Sequence, residues 1–284
     1  VAPARAQADD AAGRDFPKTL TLDEPGVDDE LSLPTFQHVQ QTAASAANDI
    51  TFEIDKRVTD RLQLQVTGGY QIQTSAAEAP RTGWDNVALT AKQVVLDRPD
   101  SESIVTLGAT RAFGRTGAAG IGAASVGSTT PTVYFGQGFG ALALPALLRP
   151  FAVTGTLGYQ IPDRASAAGG QHVGQVLQLD SSVQYSLRYL SPLIERAGLP
   201  RAAERIVAIV EVTYAAASGK DDSSELQQRF AAPGLIYAGA GYQLALEALL
   251  PLARSSGRGV GAIAQLNLSF ETLGLGSIAK PLWH

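Results

Sequence analysis

Neither cysteine nor methionine occurs in the 284 residues, and histidine occurs only three times. Without cysteine the chain has no disulfide framework, no thiolate nucleophile and no cysteine-ligated zinc. His38, His172 and His284 lie far apart, with no HxxxH or HExxH pair, so a convergent metal site is not expected. An outer-membrane hydrolase would need a histidine beside a serine on neighbouring strands, and no histidine falls on a long strand-like segment. Enzymatic activity and cofactors are therefore not expected. Charged residues are also scarce, at 17%, below the roughly 25% of soluble globular chains. The formal charge of −5 and pI near 5.2 give no basic face for phosphates, which excludes nucleic acid as the expected partner. No apolar run approaches the ~20 residues of a transmembrane helix.

What is present is alternation, sustained unusually long. Between Leu62 and Ile72, Leu62, Leu64, Val66, Tyr70 and Ile72 fall on one side of the pleat, and Gln63, Gln65, Thr67, Gln71 and Gln73 on the other. From Leu177 to Tyr189 the same pattern sets Leu177, Leu179, Val183, Tyr185, Leu187 and Tyr189 against Gln178, Asp180, Ser182, Gln184, Ser186 and Arg188. Soluble strands usually run about 5–6 residues, whereas a tilted strand crossing a bilayer needs roughly 9–11. Length, more than alternation, points to a membrane. A barrel with half its strand residues facing water is hydropathically neutral, in keeping with a mean hydropathy of +0.03.

Strand-like segments recur at Ile50–Lys56, Leu62–Thr74, Val87–Val95, Ile104–Phe113, Thr132–Gln137, Phe151–Ile161, Leu177–Tyr189, Ile206–Ala216, Arg229–Tyr237, Tyr242–Leu250 and Val260–Phe270. Their connections alternate between short (58–61, 97–100, 238–241) and long (75–84, 115–129, 162–175, 218–227, 251–258), the asymmetry of periplasmic turns and external loops. Connections 138–149 and 191–204 are long where turns should be short, and their Leu/Ala-rich sequences suggest small periplasmic helices. A periplasmic C-terminus requires one more rising strand within about 34–45. The expected fold is thus all-β: a transmembrane antiparallel up-and-down β-barrel of about twelve strands, with ten as the alternative. Trp84, Tyr134, Tyr159, Tyr185, Tyr189, Tyr214, Tyr237 and Tyr242 lie near strand ends, where interfacial girdles form.

The expected organisation starts with residues 1–8 as a signal-peptide remnant, since Ala6-Gln7-Ala8 before Asp9 and Asp10 resembles a cleavage site and no methionine is present. Residues 9–33 read as a mobile, surface-docked or periplasmic leader, 34–271 as the barrel and 272–284 as a C-terminal extension. The glycine-rich run Gly114 to Gly122 lacks the Lys-Ser/Thr ending of a phosphate loop and reads as a flexible loop. Gly68, Gly69 and Gly155, inside strands, read as sites of bending or close packing.

Several phrases, DDELSLP (28–34), TPTVYFGQGFG (130–140), LRPFAVTG (148–155), APGLIY (232–237) and AKPLW (279–283), resemble an uncharacterised outer-membrane β-barrel family linked to the meta-pathway of phenol degradation. The resemblance spans most of the chain and implies an outer-membrane barrel of porin or transporter type. Gly261 to Phe270 is also similar to the closing-strand signal of bacterial outer-membrane barrels, although fourteen residues follow Phe270.

Charge on a lipid face costs about 2–4 kcal/mol for a midplane Lys or Arg, so Glu53, Asp55, Arg57, Lys92, Asp180, Arg188, Glu211, Glu247 and Glu271 are expected to line the lumen. With them go Gln65, Gln71, Gln178, Gln184, Gln243, Gln265 and Asn267. Six carboxylates against three basic groups describe a mildly cation-favouring passage, or else a closed lumen whose polar groups satisfy one another. The first reading is a bacterial outer-membrane channel passing small solutes or ions and touching lipid. The second is a closed barrel acting as a scaffold or docking partner for periplasmic or membrane proteins. A soluble secreted β-sandwich or barrel is the third.

Overall fold

The computed structural model describes residues 14–167, 170, 172–218, 228–276 and 278–283. The expected signal remnant 1–8, the first leader residues and His284 lie outside them. Thirteen strands form: β1 (Glu30–Thr42), β2 (Ser45–Arg57), β3 (Leu62–Ser75), β4 (Arg81–Trp84), β5 (Ala88–Arg98), β6 (Ser103–Ala112), β7 (Ser128–Gly138), β8 (Phe151–Pro162), β9 (Gln175–Ser186), β10 (Ile206–Ser218), β11 (Gln228–Ala238), β12 (Tyr242–Pro251) and β13 (Gly261–Ser269). Twelve of them pair antiparallel in chain order, β3 passing over β4 to β5, and β1 closes the sheet by pairing with β13. β4 is a short addition hydrogen-bonded to the far end of β3. The sheet has no free edge around its circumference, so every ladder group can be satisfied inside hydrocarbon.

Strand length and alternation account for each wall. The twelve barrel strands run from 9 residues in β13 to 14 in β3, enough to cross a bilayer when tilted. On β3, Gln63 and Gln65 are buried while Leu64 is 50% exposed. Leu89, Leu107, Val133, Leu157, Leu179, Val210, Leu235 and Leu246 are exposed in the same way on successive strands. Such a continuous apolar exterior would aggregate in water and is stable against lipid. Gly155 lets the Phe135 ring of β7 lie flat on β8, since a Cβ there would come within 2.6 Å of the ring. No described helix is long and apolar enough to cross a membrane.

Arg14 and Trp283, the first and last described residues, lie at the end carrying the connections 58–61, 99–102, 139–150, 187–205 and 239–241, here called the turn end. Connections 76–87, 113–127 and 252–260 lie at the other, the loop end, together with the tight 43–44 hairpin, the end of β8, the start of β9, the end of β10 and the start of β11. By the usual asymmetry of such barrels the turn end faces the periplasm.

Three sequence expectations need correction. The first strand begins at Glu30, not near residue 34, and carries His38, whose Nδ1 is 2.8 Å from Asn48 Oδ1. Its register shifts between Ser32 and Thr35, so inward positions are even before the irregularity and odd after it, as the buried Ser32 and Thr35 show. β9 stops at Ser186, and Leu187–Leu190 turns into a 3₁₀ segment followed by the six-residue helix α1 (Ser191–Arg196). The 139–149 connection folds as turns, without a helix.

Candidate functional site: a leader loop inside the barrel

Residues 14–29 do not lie on the surface; they enter the barrel from the turn end and return to it. Arg14 marks the way in. Its guanidinium donates to the carbonyls of Pro150 (2.6 Å) and Phe151 (2.8 Å) and stacks over the Tyr189 ring, 4.8 Å from its centroid. Tyr189 in turn donates to Glu102 Oε1 at 2.7 Å. Burial and the Glu102 carboxylate push this phenol up to about 12, so it stays protonated and able to donate at any physiological pH. Further in, Phe16 and Pro25 close over Gly136 of β7, where a Cβ would sit 3.0 Å from each. The tip is Thr19 to Leu22, closed by the Thr19 hydroxyl donating to the Leu22 carbonyl at 2.5 Å. The chain leaves past Asp28, whose N–H donates to Gln63 Oε1 at 2.6 Å, and reaches β1 through Asp29.

Each leader side chain meets a different part of the wall. The Lys18 ammonium bonds Glu30 at 2.9 Å and Asp55 at 2.5 Å and also pairs with Glu53. Glu24, Glu30 and Asp55 bring ligand atoms within 4.8 Å of one another, a spacing that could hold a metal ion. Lys18 is bonded to two of these three, so a cation of the chain itself serves this cluster. Two strands along the wall from Asp55, the buried Lys92 of β5 donates to Asp23 (3.1 Å), to Glu24 (3.3 Å) and to the Glu24 carbonyl (2.7 Å), with Tyr134 at 5.1 Å. Thr106 donates to the Pro25 carbonyl at 2.5 Å, and Gln243 to the Lys18 carbonyl at 2.6 Å. Thr21 donates through its N–H (2.7 Å) and its hydroxyl to Glu211.

Leu20 does the opposite kind of work. It packs on an apolar strip of the inner wall formed by Val207, Ile209, Ile236 and Ala245, and on Ala232, Leu249 and Ile263 beside it. The inner face is thus divided, charged and polar on β1, β2, β3 and β5 and mixed across β10 to β13, where the apolar strip lies beside Glu211, Gln243, Glu247, Gln265 and Asn267. Above the tip a cavity of about 350 Å³ is floored by residues 18–23 and walled by Thr35, Glu53, Thr67 and Gln265. A second, of about 410 Å³, shares Asp85 and Asn86 with it and is bounded by Gln71 and residues 121–124 at the loop end.

Of the residues expected to line the lumen, Asp55, Lys92, Glu211 and Glu247 are buried within the barrel. Glu53 is half-buried beside Lys18, and Asp180 accepts from Thr156 Oγ1 at 3.1 Å. Arg57 sits at the turn-end rim and donates to Asp29 at 2.8 Å. Arg188 and Glu271 are exposed and off the strands, in the 3₁₀ segment after β9 and in the turn after β13. Tyr134, expected in a girdle, is buried facing Lys92 because its even position on β7 points inward with Ser128 and Gly136. Sequence reasoning missed Lys18, Leu20, Asp23 and Glu24. The apolar strip did leave a signal: Ile206 to Val212 carries large apolar residues on both faces, which a strand lining only water does not need.

An outer-membrane channel from Pseudomonas putida F1 superposes on 90% of this chain and 99% of its own, with a TM-score of 0.58 at 11% sequence identity. The fold is that of an outer-membrane β-barrel. With its lipid-compatible exterior, this places the chain in the bacterial outer membrane. Also similar are a KdgM porin (84% of this chain, 99% of that one, 10% identity, TM-score 0.48) and LpxR from Salmonella typhimurium (85% and 100%, 12% identity, TM-score 0.47). No protein-family model matches the sequence, and no curated protein does.

Proposed function

We propose that this barrel is a passive channel for small solutes or ions, with its leader loop as the constriction and Glu53, Asp55, Lys92, Asp180, Glu211 and Glu247 along the route. The observation that carries this reading is the cavity above the leader tip. Its walls are strand residues, among them the polar Thr35, Thr51, Glu53, Thr67 and Gln265, and its floor is residues 18–23, so the leader bounds the space below. Among the described residues of leader and wall, the acids Asp23, Glu24, Glu30, Glu53, Asp55, Glu211 and Glu247 outnumber the lysines Lys18 and Lys92, which favours cationic and neutral solutes over anions. The similarity of fold to an outer-membrane channel supports a channel-like role.

A second reading is favoured by the packing of Leu20. A leader built into the wall makes a closed barrel, suited to scaffolding a periplasmic or membrane protein. Planar-bilayer recording of the full chain and of a chain beginning at Asp28 separates the two. The channel reading expects small or rare steps from the first and larger, cation-preferring steps from the second. Silence from a correctly folded shortened barrel refutes it and leaves the scaffold.

A further inference from the structure

The segment after the closing strand is tied at the turn end to the residue before β1, to β2 and to the turn that follows β2. The Phe270 N–H donates to the Asp29 carbonyl (3.0 Å), Lys56 Nζ to the Lys280 carbonyl (2.8 Å), and the Trp283 N–H to the Val58 carbonyl (2.9 Å). Lys56 belongs to the face of β2 that presents Ile50 and Ile54 to lipid, so the tail meets the barrel on its outer side. Phe270 and Ala279 are buried, whereas Leu273, Leu275, Ile278 and Leu282 are exposed and Trp283 is 65% exposed. Five large apolar side chains so arranged would be a liability in water. Beside the belt they continue it, since Leu33 and Ile54 are exposed near the same end of β1 and β2. Tryptophan is enriched where a membrane meets water, and a lysine stem can cover apolar surface while its head stays wet.

We propose that residues 270–283 form an interfacial anchor, seated at the boundary of headgroups and acyl chains in the periplasmic leaflet, with Trp283 as its deepest-reaching side chain. The occupant of this apolar surface is lipid. Backbone hydrogen bonds to Asp29, just before β1, and to Val58 in the turn before β3 hold the tail in place, so the anchor also braces the seam where the barrel closes.

The sequence supplies convenient probes, because Trp84 and Trp283 are its two tryptophans and it has no cysteine. A Trp84→Phe chain in phosphatidylcholine vesicles should lose roughly half or more of its emission when the acyl chains carry bromine near the headgroups, as expected for an interfacial indole. It should be quenched only weakly by acrylamide. As a second measurement, nitroxide attached at Leu275→Cys or Leu282→Cys, with both tryptophans intact, should be more accessible to oxygen than to a water-soluble nickel chelate. Strong acrylamide quenching with no effect of brominated lipid, or a label open to the nickel chelate, overturns the proposal. So does protection that depends on protein concentration, which would assign the surface to a second copy.

Discussion

Replacing Lys18 by methionine keeps the length of the side chain and removes the one ammonium among Glu30, Glu53 and Asp55. In the native chain Lys18 is 6% exposed, and its ammonium bonds Glu30 at 2.9 Å and Asp55 at 2.5 Å. Breaking a buried pair by removing one partner typically costs about 3–5 kcal/mol, because the remaining charges stay desolvated and uncompensated. Here the cost falls on the docked leader, since with the loop withdrawn the same carboxylates can hydrate. At about 1.4 kcal/mol per tenfold change, the ratio of docked to withdrawn leader should drop by roughly two to three and a half orders of magnitude. Bilayer recording should show a matching rise in the open fraction, and protease added from the turn side should cut near Arg14 in proportion. Lys18→Arg, which retains a cation, should stay close to wild type. An unchanged open fraction, with the leader still protected in Lys18→Met, would refute the view that this ion-pair cluster holds the plug.

Other consequences are smaller. Leu20→Ala removes packing on Ile209 and Ile236; at about 1–3 kcal/mol for a partly buried leucine it should raise the open fraction without altering selectivity, read as an unchanged reversal potential. Glu211→Gln with Glu247→Gln should lower cation preference in a conducting barrel, while Glu271→Gln, off the strands and exposed, should leave it unchanged. Leu246→Arg, on the lipid face, should destabilise the barrel by about 2–4 kcal/mol in urea unfolding from vesicles. Burial alone would raise the Asp29 carboxyl, but hydrogen bonds from Lys56 and Arg57 outweigh it and hold the group below the ordinary carboxylate range. A lowered native value adds stability that is complete above the unfolded pKa and lost as pH falls through the native one. Asp29→Asn should therefore flatten the acid limb of thermal stability.

The outer surface was legible in the sequence because lipid asks the same thing of every strand. Leu62 to Ile72 and Leu177 to Tyr185 had to alternate over a bilayer's thickness, and that period survives without any partner in view. β1 was obscured by its own irregularity: the shift between Ser32 and Thr35 reverses the inward parity, so Phe36 and Val39 read as out of phase although Phe36 is exposed like other lipid-facing residues. Leu187 and Tyr189 extended an alternation by coincidence, past the point where the chain turns toward Glu102. The leader left no period at all. Its order comes from a wall that differs at every contact, acids for Lys18, an apolar strip for Leu20, Lys92 for Asp23 and Glu24, and only the closed barrel brings these together. Glu211 could be placed by parity, but its partner Thr21 could not.

A reversible tether between leader and wall would show whether the leader loop stops up a barrel otherwise able to conduct. Thr21 and Glu211 touch across the lumen, and the chain has no other thiol to interfere. In a Thr21→Cys, Glu211→Cys chain, a short cleavable thiol cross-linker should hold conductance at its minimum, and cleavage in the same bilayer should restore opening events. Full conductance with the tether intact would contradict the account.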